Sequence, residues 1–305
     1  MRRLRVATRA SALARWQADH VAGLLAAASY GLGDEPVLVE TVLVETVADR
    51  RLDIAIWEMG GKGVFVKEVQ AAVLDGRADL AVHSGKDLPS VTPDELVLAA
   101  VPERGDPRDA LVGCRLAELP PGARVATGSV RRRAQLADLR PDLTFAGLRG
   151  NMATRLDQAA GFDAIVVAAA ALERLGLGDR VAELLEPSVL LPQVAQGALA
   201  VECRADDAVL RDLLAGVEHA PSRRRVDAER AYLAELGGDC DLPAGAHAVA
   251  VDGDDGPLRL DALLASLDGR IVLRHRVEGT EGAALGRSAA RHLLDDAGGS
   301  ALLDP

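Results

Sequence analysis

Through its first two thirds the chain alternates short apolar runs with segments of helical periodicity, and that alternation constrains the fold more than any other feature. Residues 4–8, 37–44, 78–83 and 96–101 read as strands. Helices are predicted from Ser11 to about Ala28, with Leu13, Trp16, Val21 and Leu24 near one face, and from Val64 to Leu74. Residues 103–109 form a charged break that reads as a hinge. The rhythm then restarts, with strands over 124–127, 143–148 and 164–168 and helices over 129–139 and 151–160. Residues 187–197 read as a crossing segment, followed by a strand at 197–203 and a helix at 206–216. This order implies a mostly parallel sheet covered by helices. The last third differs. A helix at 222–236, a three-stranded meander at 246–251, 258–266 and 270–277, and a closing helix at 281–296 make a small α+β domain.

Charge and composition exclude several classes of function. The 305 residues carry 35 basic and 46 acidic side chains, a net charge of −11. That balance disfavours nucleic acid or an anionic membrane as a general partner, and 2% aromatic content leaves few platforms for stacked bases. No apolar run reaches the ~18 residues of a membrane span. The N-terminus lacks a signal-type apolar core, so a cytoplasmic location is expected. Three widely spaced cysteines, Cys114, Cys203 and Cys240, are no disulfide framework, and the histidine spacing suggests no metal site.

The informative positions are strand-to-helix junctions. The first strand leads to Arg9 and the cap Ser11. Thr127 and Gly128 lead to the cap Ser129, then Arg131, Arg132 and Arg133. Arg149 and Gly150 precede the cap Asn151 and then Arg155. Arginines in a first helical turn oppose the helix dipole, by a few tenths to ~1 kcal/mol each. An anion at the junction reverses that sign, because backbone N–H groups and guanidinium forks both bind carboxylate or phosphate. A solvated basic face would explain one such junction. Three in one α/β protein point to a small ligand with several negative groups, bound where strands end.

A fourth junction, His83-Ser84-Gly85-Lys86-Asp87-Leu88-Pro89, sets Lys86 beside Asp87 at the end of a buried strand. Such a pair serves acid–base work or stabilises a cation. His83 reads as a structural, hydrogen-bonded residue. Only three of the basic residues are lysines, Lys62, Lys67 and Lys86, so a compact ammonium at position 86 stands out. Gly60-Gly61-Lys62-Gly63 reads equally as a lid or a plain turn. Cys240, in a glycine-rich loop, is poorly placed for core packing and well placed for reactivity, whereas Cys203 reads as a buried small hydrophobe.

Taken in order, these segments resemble the hydroxymethylbilane synthase (porphobilinogen deaminase) family. The resemblance is carried by residues 7–14, Gly60-Gly61-Lys62-Gly63-Val64-Phe65, residues 81–89, Asp106-Pro107-Arg108-Asp109-Ala110 and Thr127-Gly128-Ser129-Val130-Arg131-Arg132. It continues through Leu148-Arg149-Gly150-Asn151, Thr154-Arg155-Leu156, Gln196-Gly197-Ala198 and Gly237-Gly238-Asp239-Cys240. It covers residues 4–245; the last sixty or so match in pattern only.

The resemblance implies two α/β domains like those of periplasmic binding proteins, with the active site between them, and a small C-terminal α+β domain. Their bounds would be 1–102 with 197–217, 103–196, and 218–305. It implies a dipyrromethane cofactor held by a thioether to Cys240. Four porphobilinogen units would add head to tail, each losing ammonia, before water releases hydroxymethylbilane. Asp87 would be the catalytic carboxylate, stabilising an azafulvene-like cation. Ser84, Lys86, Asp87, Thr127, Ser129, Arg131, Arg132, Arg149 and Gly150 would bind the cofactor. Arg9, Ser11, Arg149, Arg155, Arg174 and Gln196 would bind substrate, and Lys62 and Asp49 would belong to a lid. The expected protein is a cytoplasmic monomer with porphobilinogen as its small-molecule partner and no metal, nucleic acid or membrane. Some positions depart from the common pattern: Ala48 before Asp49, Gly85 before Lys86, Gly128 where serine is frequent, and Asp239 and Asp241 flanking Cys240. The competing reading is a non-catalytic two-lobed paralogue that binds an anion or tetrapyrrole. It explains the arginine junctions but leaves Lys86, Asp87 and Cys240 without a purpose.

Overall fold

Strands that are apolar on both faces need cover on both, and helices supply it here. The computed structural model describes residues 2–32, 37–47, 63, 65–238 and 242–303. The chain divides into two units: Met1–Asp53, Gly61–Gly105 and Ala198–Arg223 form one, and Ile54–Gly60, Asp106–Gly197 and Arg224–Pro305 the other.

The first unit is built on β1 (Arg2–Arg9), β2 (Val37–Val44), β3 (Leu80–Ser84), β4 (Leu96–Ala100) and β10 (Leu199–Arg204), in the order β2-β1-β3-β10-β4. On one face Leu4, Val6, Leu80, Val82 and Val201 pack with α1 (Ala12–Leu32) and α6 (Ala208–Ala215) through Val21, Leu25, Leu210 and Leu214. On the other, Ala7 and Ala81 meet Val69 and Val73 of α2 (Lys67–Leu74).

The second unit carries β5 (Asp109–Val112), β6 (Arg124–Ala126), β7 (Thr144–Ala146), β8 (Ala164–Ala168) and β9 (Glu183–Leu185), in the order β7-β6-β8-β5-β9. Helices α3 (Val130–Leu139), α4 (Met152–Gln158) and α5 (Ala169–Arg174) cover it, through Leu136 in one core cluster and Leu156 and Leu172 in another. The same unit holds the antiparallel meander β11 (Ala244–Ala250), β12 (Leu258–Ala265) and β13 (Val272–Gly279) with α7 (Ala220–Glu235) and α8 (Gly282–Arg291). Gly286 of α8 lies against α7 so closely that a Cβ would fall 2.2 Å from the Ala228 carbonyl oxygen. Tyr232 of α7 is fully buried and donates its hydroxyl to the Leu263 carbonyl at 2.7 Å.

The sheets are mixed, which corrects the expectation of a mostly parallel arrangement. β1 runs parallel to β2 and β3, whereas β10 runs antiparallel to β3 and β4. β6 runs parallel to β7 and β8, whereas β5 runs antiparallel to β8 and β9. Both sheets share one plan: three strands of βαβ type, then a reversed strand, then an edge. In each case the reversed strand is the first to form after the chain passes from the other unit. The charged break at 103–109 ends on Asp109, the first residue of β5, and the sequence pattern gives no strand over the rest of β5 or over β9 and no helix over α5. The final helix ends at Arg291 and continues as one π turn, His292–Asp296.

Candidate active site

In the first unit, the ends of β1 and β3 converge on a recess. β1 delivers Thr8 and Arg9. The Thr8 hydroxyl donates to the Ala14 carbonyl at 3.1 Å, and Ser11 Oγ accepts from Ala14 N at 3.3 Å, so Ser11 caps α1 as predicted. The Arg9 guanidinium lies over the Phe65 ring, 4.7 Å from its centroid, a cation–π contact that holds the cation at the recess. β3 delivers Ser84, whose Oγ accepts from Gln17 Nε2 at 2.8 Å. Beyond it the 3₁₀ turn Gly85–Asp87 hangs on β10, with Gly85 N donating to the Ala198 carbonyl at 2.9 Å. Lys86 and Asp87 are half-buried on that turn.

Thr8, Arg9, Ser11, Gln17, His83, Ser84 and Asp87 supply the polar lining, and Asp87 is its one carboxylate among the described residues. The recess encloses about 60 Å³, well below the ~300 Å³ at which a cleft encloses a small molecule. It therefore receives part of a ligand. One carboxylate and one guanidinium among hydroxyl, amide and imidazole groups suit a molecule with both N–H groups and carboxylates.

In the second unit, the arginines of α3 do something the sequence reading did not foresee. Arg131 is 1% exposed and Arg132 5%; both turn inward onto Asp109, which is fully buried at the start of β5. Arg131 Nη2 lies 2.8 Å from Asp109 Oδ2, and Arg132 donates through Nε and Nη2 to Asp109 Oδ1 at 2.9 and 2.7 Å. Gln196 Nε2 adds a bond to Asp109 Oδ1 at 2.8 Å and another to the Pro107 carbonyl at 2.7 Å. Arg131 and Arg132 are thus not the open anion donors expected of them in this structure. Part of the negative charge that the helix end calls for is the protein's own Asp109. Burial alone would raise the Asp109 carboxyl, but the two guanidinium charges outweigh it and hold it far below the usual carboxylate range. Two guanidiniums share one carboxylate, so the cluster is one positive charge in excess, and Arg131 Nε is buried without a hydrogen-bond partner among the described residues.

The neighbouring junctions are more open. Thr127 Oγ1 accepts from Ser129 N at 3.2 Å, and Ser129 Oγ caps α3 by a long 3.4 Å bond from Arg132 N. Arg149 and Gly150 precede Asn151, whose Oδ1 caps α4 at Thr154 N, 3.1 Å away. Arg155 Nε donates to the Gly150 carbonyl at 2.8 Å, which ties its guanidinium to the same turn. Arg174 donates to the Gly197 carbonyl, and burial, partly offset by Glu173, lowers its guanidinium to about 10. The structure thus groups Arg9, Ser11, Ser84, Lys86 and Asp87 in one unit. It groups Thr127, Ser129, Arg131, Arg132, Arg149, Gly150, Arg155, Arg174 and Gln196 in the other. Lys62, Asp49 and Cys240 lie outside the described residues, as do Ala48, Asp239 and Asp241. Cys203 is buried, and burial pushes its thiol up to about 11, an inert setting. Sequence reasoning gave no role to Asp109, Gln17 or Glu202. Asp109 carried a signal, since it opens the apolar run Ala110-Leu111-Val112.

A model of the porphobilinogen deaminase cofactor-binding domain, described as the dipyrromethane cofactor binding domain, matches residues 4–212. A model of the porphobilinogen deaminase C-terminal domain matches residues 223–295. The chain belongs to the porphobilinogen deaminase family. It is 47% identical to the porphobilinogen deaminase of Nitratidesulfovibrio vulgaris strain DP4, over all of this chain and 96% of that one. It is 49% identical to that of Roseiflexus castenholzii, over 98% of each chain. Among solved structures, a periplasmic substrate-binding protein from Coxiella burnetii is similar with a TM-score of 0.44 and 14% identity, over 72% of this chain and 93% of that one.

Porphobilinogen deaminase is a transferase of tetrapyrrole biosynthesis. It condenses four porphobilinogen molecules head to tail with loss of ammonia, and releases hydroxymethylbilane by hydrolysis. Family membership makes that the activity of this chain and dipyrromethane its cofactor, and it favours the enzyme over a non-catalytic paralogue. The residues present fit such a cofactor. Pyrrole N–H groups need an acceptor, its acetate and propionate groups need cations, and the arginine cluster of the second unit carries uncompensated positive charge. Among the described residues no helix is long and apolar enough to cross a membrane, and no group of three or more His, Cys, Asp or Glu side chains is placed to hold a metal ion.

Proposed function

We propose that Asp87 is the catalytic group of the porphobilinogen-condensing reaction in this chain. The observation that carries this is its position as the one carboxylate, among the described residues, of a recess whose other polar groups are Thr8, Arg9, Ser11, Gln17, His83 and Ser84 and whose remaining wall is apolar. A carboxylate there accepts hydrogen bonds from pyrrole N–H groups. It also stabilises the positive charge that builds on the pyrrole as ammonia departs, where partial exclusion of water strengthens the attraction. The dipyrromethane, when bound, supplies the terminal pyrrole to which the first substrate is joined.

The remaining assignments follow from charge. Arg9, Arg149, Arg155 and Arg174, with Ser11 and Gln196, bind the carboxylates of substrate. Ser84, Lys86, Thr127, Ser129 and the backbone of Gly150 bind the cofactor alongside Arg149. Arg131 and Arg132 serve the cofactor through the positive excess they share over Asp109. Cys240 carries the thioether, and Lys62 and Asp49 belong to a lid. The domain division is 1–102 with 197–217, then 103–196, then 218–305, and the protein works as a cytoplasmic monomer independent of nucleic acid and membrane. Asp87→Asn tests the central assignment. It preserves shape and removes the charge, so turnover of porphobilinogen falls by about 10²–10³-fold with an unchanged circular dichroism spectrum and Tm. Turnover within a few-fold of wild type would remove Asp87 from the mechanism.

A further inference from the structure

The segment that carries Gln196 is bent in a way that needs holding. Gln196 is fully buried. Its Nε2 donates to the Pro107 carbonyl at 2.7 Å and to Asp109 Oδ1 at 2.8 Å, and its Oε1 accepts from Arg132 Nη2 at 3.4 Å. The carbonyl of the next residue, Gly197, accepts from Arg174. Two consecutive residues thus reach Asp109, Arg132 and Arg174.

The backbone is left-handed on both sides of Gln196. Gly197 has φ +86°, which glycine adopts freely. Ala195 has φ +56° and is the one non-glycine residue in that region among the described residues. A Cβ disfavours this conformation, so the surroundings must impose it. Gln196 N donates to the Gln193 carbonyl at 2.9 Å, which closes the turn. The N–H of Ala195 goes to a side chain instead.

That side chain is Glu229 of α7. It is fully buried, and each of its oxygens takes a backbone donor: Oε2 accepts from Ala195 N at 2.7 Å and Oε1 from Ala248 N at 2.9 Å. Ala248 belongs to β11, an edge strand of the meander. Two residues earlier, Ala246 N donates to the Pro192 carbonyl at 3.1 Å. A Cβ on the preceding Gly245 would fall 2.8 Å from the Pro192 carbonyl oxygen and 3.3 Å from Arg131 Cδ. The edge strand is therefore laid along the crossing segment, and Glu229 fastens the two together at the left-handed residue. A carboxyl this deep is costly unless its oxygens are bonded, and an apolar side chain would fill the space at lower cost. An apolar side chain could not accept from both N–H groups, one of them on a residue whose φ must be enforced.

We propose that Glu229 is a positioning residue for the condensation. By accepting from Ala195 N it holds the left-handed turn that sets Gln196 against Asp109 and Arg132, and Gly197 against Arg174. The proposal rests on the reading given above of Gln196, Arg132 and Arg174 as groups that serve substrate and cofactor. Glu229→Gln keeps the size of the side chain but turns an amide N–H toward one of the two backbone N–H groups. The KM of the holoenzyme for porphobilinogen should rise about 10-fold, the scale of one buried hydrogen bond lost. The fraction of purified chain carrying the two-pyrrole adduct, read by intact mass, should fall with it. Adding Ala195→Gly removes the conformational penalty that Glu229 opposes. KM and loading should then return most of the way, while Tm stays near that of Glu229→Gln. Ala195→Gly alone should match wild type in both.

A purely structural carboxyl would lower Tm and leave KM and loading at wild-type values in Glu229→Gln. That result would overturn the proposal, as would the absence of any recovery on adding Ala195→Gly. Should Glu229→Gln not fold, Glu229→Asp keeps the carboxyl, shortens its reach by one carbon and is read in the same way, with and without Ala195→Gly. Gln196→Ala assayed in parallel separates the two readings. Raised KM there with wild-type KM and loading in Glu229→Gln removes only this inference. Wild-type KM and loading in Gln196→Ala remove the reading on which it rests.

Discussion

Asp109 is the residue on which the buried arginine cluster of the second unit depends. It is enclosed by two guanidiniums and the Gln196 amide, with no water-facing surface of its own. Asp109→Ala would leave Arg131 and Arg132 buried without a counter-charge, so the loss should be about 3–5 kcal/mol in urea denaturation. A loss below about 1 kcal/mol would contradict the buried ion cluster. The pH dependence has a definite sign. The folded carboxyl is held below its ordinary value, so its contribution is complete above the unfolded value and is lost as pH falls through the folded one. The difference between wild type and variant should stay flat from neutral pH to about pH 5 and shrink only in stronger acid. At this scale the sequence was half legible. Arginines at a helix start correctly signalled a need for negative charge. They could not show that a carboxylate some twenty residues earlier supplies part of it, because that contact exists only once β5 lies beside β8.

The elements were legible wherever local chemistry decides them. Strands 37–44 and 164–168 fall where they were read, and Ser11, Ser129 and Asn151 cap helices as their side-chain oxygens require. The misses are short pieces held by tertiary contact. β9 has three residues and α5 six, too few for a period to show. Strand direction was also hidden, since an apolar run is the same in a parallel or an antiparallel pair. Two glycines carry element-level consequences. A Cβ on Gly128 would fall 2.6 Å from the Leu148 carbonyl oxygen, so the absence of the commoner serine belongs to a close approach of two junctions. Gly150 sits at φ +95°, and a Cβ there would meet the Thr154 side chain at 2.8 Å. Gly150→Ala should therefore cost about 1–3 kcal/mol. It should also displace the carbonyl that holds Arg155, lowering cofactor loading. Thermal denaturation alongside the mass of the purified variant measures both, and an unchanged Tm with full loading would contradict this view of the turn.

At the scale of the whole molecule, one plan appears twice. Each α/β sheet has one reversed strand next to its edge, the first strand after the chain changes unit, β5 in one and β10 in the other. Those strands carry Asp109 and Glu202, the buried carboxylates that organise each unit's polar interior. Buried carboxylates therefore enter each unit where the chain crosses into it, and a reading that treats the crossings as hinges passes over them. The central claim is that this chain builds and uses a dipyrromethane joined to Cys240. Intact-protein mass spectrometry of the purified wild type beside Cys240→Ala, each before and after incubation with porphobilinogen, tests it most directly. The expected result is an added mass of two linked pyrrole units on the wild type and none on the variant. A wild-type mass that stays unmodified after incubation, or an adduct that survives in Cys240→Ala, would contradict it.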